Sequence, residues 1–90
     1  MKITRSVVAG KIDDYLKRRI SLDQLVDWAE NCMMDSVFED RDMDTIRDVV
    51  GRLGLADVRT FGLSWDDCDA FLERLGYQVR VIVHKKPIAA

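Results

Sequence analysis

Ser21-Leu22-Asp23-Gln24-Leu25-Val26-Asp27-Trp28-Ala29-Glu30-Asn31-Cys32-Met33 is the stretch from which the rest of the chain can be read. Ser21 followed three residues later by Gln24 is a capping box. The serine hydroxyl accepts from the Gln24 amide, the glutamine side chain accepts from the Ser21 amide, and two donors that a helix start leaves orphaned are satisfied. Ile20 and Leu25 stand where a hydrophobic staple places its pair. Leu22, Leu25, Val26, Ala29, Cys32 and Met33 recur at helical spacing as one apolar stripe, and Trp28 at its edge reads as core before contact surface. A helix over 22–34 with such a stripe needs other apolar faces to cover it, so the expectation is a bundle.

Working outward, the same start signal returns at Ser64. Asp67 takes the capping-box position, Leu63 and Cys68 the staple positions, and a helix over 65–75 is predicted with Trp65, Cys68, Phe71, Leu72 and Leu75 facing inward and Gly76 ending it. Aligning 20–30 with 63–73 keeps only the serine, one aspartate and the final glutamate, which capping alone produces, so this is no internal repeat. Asp66, Asp67 and Asp69 read as first-turn acids that suit the helix dipole, ahead of paired catalytic carboxylates. Thr4 is the expected N-cap of a helix over 4–19, with Val8, Ile12, Tyr15 and Leu16 on one face and Lys17, Arg18 and Arg19 in its last turn. Basic residues there answer the helix dipole, which explains the triplet before phosphate binding needs to. A third helix over 43–53 carries Met43, Ile46, Val49, Val50 and Leu53, with Gly54 expected as a left-handed cap. Residues 55–62 fit either a short helical turn or a brief strand.

The tail changes period. From Tyr77 to His84, Val79, Val81 and Val83 alternate with Arg80, Ile82 and His84, which predicts a strand over 78–84. A strand needs a backbone partner, and the candidates are residues 57–61, Lys2-Ile3-Thr4, the same strand of a second copy, or another protein.

Ninety residues with 48% hydrophobic and 33% charged side chains leave room for one core and one globular domain, away from the disordered regime. No apolar run approaches a membrane span and no secretory leader pattern opens the chain, so a cytoplasmic location and no membrane partner are expected. The net charge of −2 is mild, but its distribution is not. Residues 1–20 carry a net +4, residues 21–45 a net −7, residues 46–76 a net −2 and residues 77–90 a net +3. Such segregation is met by separately solvated faces, within one fold, or between two copies.

Chemical signatures are missing. There is no glycine-rich phosphate loop, no His-Glu-x-x-His and no Cys-x-x-Cys, so no catalysis, metal or cofactor is expected. Cys32 and Cys68 read as small buried hydrophobes, with a disulfide between them as the lesser reading and a dyad of either with His84 left open by spacing. Asp40, Asp42 and Asp44 have the spacing of a calcium loop's start, but Thr45 stands where its glycine should be and Gly51 where its glutamate should be. Residues 46–61 offer an apolar helix, a Leu53-Gly54-Leu55-Ala56 turn and a second short candidate helix, the outline of a DNA-binding helix-turn-helix. The would-be recognition helix holds only Asp57, Arg59 and Thr60 and lies among further aspartates, which makes nucleic acid the weaker alternative.

The sequence therefore predicts a mainly α fold: a small orthogonal bundle of four helices, or four plus a short fifth, with one C-terminal strand that pairs with a short strand or a second copy. It predicts a non-catalytic protein–protein interaction or regulatory module whose partner is another protein or a second copy. By analogy of size and charge alone this is an antitoxin-like or immunity-like inhibitor of a basic partner, or a dimeric adaptor. The expected contact residues are Glu39, Asp40, Asp42 and Asp44 in the acidic segment and Val79, Val81 and Val83 in the strand.

Overall fold

The computed structural model describes residues 2–83 and 85–87. The elements run β1 (Lys2–Ile3), α1 (Arg5–Leu16), α2 (Leu22–Asp35), β2 (Val37–Phe38), α3 (Met43–Leu53) and α4 (Trp65–Arg74), so the chain is mainly helical as expected. The three predicted side-chain caps are present. Thr4 Oγ1 accepts from the Val7 amide, and both serines form complete capping boxes, Ser21 with Gln24 and Ser64 with Asp67. In α4 the Ser64 amide donates to Asp67 Oδ2 at 2.9 Å and the Asp67 amide to Ser64 Oγ at 3.1 Å. A hydrogen bond from the Ser64 amide, and next one from the Ser64 hydroxyl, hold the Asp67 carboxyl below its usual range, with Arg52 adding to the effect.

The core is drawn from every helix. Val8 and Ile12 of α1, Leu25, Ala29 and Cys32 of α2, Ile46, Val49, Val50 and Leu53 of α3, and Cys68, Phe71 and Leu72 of α4 are buried together, with Leu75 closing one end. Trp28, Tyr15 and Ile20 pack against this cluster half-buried, as the edge position of Trp28 implied. Each fully buried Ile or Leu contributes about 1.5–3 kcal/mol relative to remaining in water.

A parallel strand pair supplements the helices. Lys2 lies opposite Val37 and Ile3 opposite Phe38, and the Glu39 amide donates to the Ile3 carbonyl at 2.9 Å. Ile3 and Phe38 turn into the core from the same face of this ladder. Burial of Ile3 is complete, which explains why so short a pair forms: two core side chains, more than the few ladder bonds, hold it.

Several sequence expectations need correction. α1 stops at Leu16, so the Lys17-Arg18-Arg19 triplet lies past the helix. Lys17 is its C-cap and Arg18 takes φ 61°, while Lys17 and Arg19 turn back onto Asp13 and Asp14 at 3.0 and 3.3 Å. Gly54 ends α3 in a right-handed conformation, φ −65° and ψ −16°, because the chain continues into further turns of the same hand. Residues 55–61 are those turns, so of the two expected alternatives the short turn is formed and the strand is not, with bonds such as Val58 N–H to Leu55 O and Phe61 N–H to Val58 O. Arg52 clamps them. Its guanidinium donates to the Gly62 and Phe61 carbonyls at 3.0 and 3.2 Å, lies 3.7 Å from Asp67, and covers the Phe61 ring at 5.0 Å. Gly76 does adopt the left-handed conformation, φ 91°, that lets the chain turn away after α4.

The predicted C-terminal strand has no counterpart. Residues 77–83 carry no strand assignment, and neither 57–61 nor Lys2–Thr4 pairs with them among the described residues. Position 84, the end of the predicted strand, lies outside the described residues.

Candidate functional site

The two sequence-predicted contact regions are separate features on the surface. The first is the acidic segment that carries β2 from α2 to α3. Asp40, Asp42 and Asp44 are exposed and Glu39 half-buried. Asp42 takes φ 62° and offers no side-chain cap to α3; its carboxylate instead meets Arg5 Nε at 3.5 Å. Glu39, Asp40 and Asp44 make no ion pair among the described residues. Asp44 lies in the first turn of α3, where a negative charge is favourable whatever else it does.

The second region is an arm formed by the residues after Gly76. Tyr77 is tied to the bundle by its amide, which donates to the Leu72 carbonyl at 2.9 Å, and Val79 packs half-buried against the core. Beyond that point the chain leaves the body: Val81, Ile82 and Val83 are 67%, 72% and 87% exposed. The longest helix has 14 residues, about 21 Å at the α-helical rise, and the molecule measures 54 × 27 × 24 Å. Val79 thus separates from Val81 and Val83: it anchors the arm, and they are presented by it. Arg80, Lys85 and Lys86 are exposed along it and make no ion pair among the described residues.

Sequence reasoning missed an apolar surface next to the acidic segment. Met33, expected in the α2 stripe, is 42% exposed, and Met34 and Val37 project further into solvent. The ladder explains Val37: it points to the face opposite Ile3 and Phe38. Trp65, expected to face inward, is likewise half exposed at the first turn of α4.

Other candidate chemistry is weaker. Both thiols are buried and free, and burial raises both pKa values, that of Cys68 to about 11, so at neutral pH they are protonated and poor nucleophiles. His84, the partner a cysteine dyad would need, lies outside the described residues. Among the described residues no group of three or more His, Cys, Asp or Glu converges on a metal position, and no helix is long and apolar enough to cross a membrane. A depression of about 610 Å³ brings Arg18 and Arg19 near Ser21, Ser64 and Trp65. At each of the two helix starts there, the capping box engages the N-cap amide and the amide three residues on. For the helix-turn-helix, residues 55–61 supply turns where the second helix should be.

No family model, curated protein or solved structure matches the chain.

Proposed function

We propose that this chain is a non-catalytic protein–protein interaction module that engages its partner through the C-terminal arm and the acidic segment around β2. The observation that carries this reading is the arm itself. Three consecutive β-branched residues, Val81, Ile82 and Val83, stand in water without a backbone partner among the described residues, although unpaired extended chain with apolar side chains is what an added strand or a partner groove takes up. The segregated charge supports it, since Arg80, Lys85 and Lys86 of the arm and Glu39, Asp40 and Asp44 of the acidic segment make no ion pair among the described residues.

The test is capture of the tagged full-length chain from native lysate at two salt concentrations, with its mass in solution measured alongside. Association with a partner protein or a second copy, lost when Val81→Asp is combined with Val83→Asp, is the expected result. A monomer that recovers only nucleic acid, in a salt-sensitive way and regardless of the arm, overturns it in favour of DNA binding.

A further inference from the structure

The edge that could receive such an arm is present in the same molecule. In a parallel ladder alternate residues turn their N–H and C=O to opposite sides. The Glu39 amide bonds the Ile3 carbonyl, so residues 37 and 39 face β1 and Phe38 directs its amide and carbonyl to the other edge. Neither group makes a backbone hydrogen bond among the described residues. This edge is bordered by the exposed apolar side chains of Met34 and Val37 and by the carboxylates of Asp35, Glu39 and Asp40. The arm has the complementary set: β-branched Val81, Ile82 and Val83 between the cations of Arg80 and of Lys85 and Lys86.

We infer that the partner is a second copy of this chain, and that the arm of each copy adds as a strand to the free β2 edge of the other. The inference rests on the interaction-module reading and names its partner and seat. The arm's own anchor at Tyr77 and Val79 lies against α1 and α4, beside Ser6, Gly10 and Leu72, so arm and acidic edge are distinct surfaces of one molecule. Residues 81–87 span at most about 25 Å when extended, enough to cross from one body to an adjoining one. A two-fold arrangement makes every contact twice: two strand additions and two basic-on-acidic matches from one complementary pair of surfaces. Met34 and Val37 then cover, and are covered by, the apolar arm, and unpaired charge of both signs is matched.

A charge-swap experiment on the full chain tests this with mass in solution as readout. One variant carries Arg80→Glu, Lys85→Glu and Lys86→Glu, the other Glu39→Lys and Asp40→Lys. The native chain is expected to dimerise, and each variant alone to dimerise about tenfold or more weakly at low salt, because arm and edge then share a sign. Mixed one to one, the variants should form a heterodimer in which both arm–edge contacts are again opposite in charge. Val81→Pro, which removes a ladder donor from a residue outside the core, should give a folded monomer by circular dichroism. A native dimer that survives Val81→Pro, or a mixture no better associated than its components, overturns the inference. A native chain that stays monomeric also overturns it; arm-dependent capture of a different protein then leaves the interaction-module reading standing, and no arm-dependent capture removes both.

Discussion

Lys2–Ile3 at one end of the chain and Val81–Val83 at the other are both short runs rich in β-branched residues, and they meet opposite fates. Ile3 is fully buried, stands opposite Phe38 and has its carbonyl bonded to Glu39, whereas Val83 is 87% exposed with no ladder beside it. By pattern the second is the more convincing strand, because it alternates over seven residues while the first is too short to show a period at all. The difference lies in what surrounds them. α1 begins one residue beyond Ile3, after its Thr4 cap, and β2 lies at hand between α2 and α3; the arm starts beyond a left-handed glycine that steers the chain off the bundle. Alternation thus reports a surface suited to half-burial, and says nothing about whether this molecule or another supplies the other half.

The contrast can be broken at its buried end. Ile3→Ala should cost about 2–5 kcal/mol in a denaturant titration, the range for a core isoleucine truncated to alanine, and release β1 from β2. A loss under about 0.5 kcal/mol would mean that the strand pair is decoration.

A second, smaller effect separates buried from exposed chemistry. The Cys68 pKa is raised from 9.0 to about 11, chiefly by burial and next by the neighbouring Asp67, so the folded state keeps its thiol proton where the unfolded state has lost it. Its contribution to stability is complete below pH 9 and is lost as the pH rises through about 11. Chemical denaturation between these values should show falling stability, and Cys68→Ala should flatten that slope.

Ser64→Ala should cost about 1 kcal/mol through loss of the α4 cap. Asp67 also loses a donor that lowers its pKa, so the stability this carboxylate gives at neutral pH, which disappears as the pH falls through its depressed value, should shrink as well. The smallest change belongs to the arm: Val81→Thr should move monomer stability by no more than about 0.5 kcal/mol, the usual limit for a surface site. A larger effect would show that the arm packs on its own body in solution and would sharpen the comparison against us.

Much of the helical body was legible in the residues. Ser21 with Gln24 and Ser64 with Asp67 are local devices whose partners lie three residues away, so no tertiary knowledge is needed to find them. The inward faces of α2, α3 and α4 followed from spacing, except where a stripe outran its neighbours, as at Met33 and Trp65. The β1–β2 pair and the Arg52 clamp were not legible, since each joins residues whose proximity exists only after the helices have packed. Of the candidate site, the exposure of Asp40, Asp42 and Asp44 could be read from charge, but the split between anchoring Val79 and projecting Val81 and Val83 could not, because all three have the same place in the alternation.

The register of Ile3 on Phe38 also dictates an order of events. The two strands are joined by α1 and α2, so the smallest element of regular structure closes one of the longest loops in the chain, and that closure is entropically unrewarded until both helices stand against each other. Lys2 and Ile3 therefore cannot be seated until some three dozen residues that follow them in the chain are in place. The strand pair is a clasp fastened after the helical core has begun to assemble, and a chain caught before that moment exposes Ile3 and the β2 edge together.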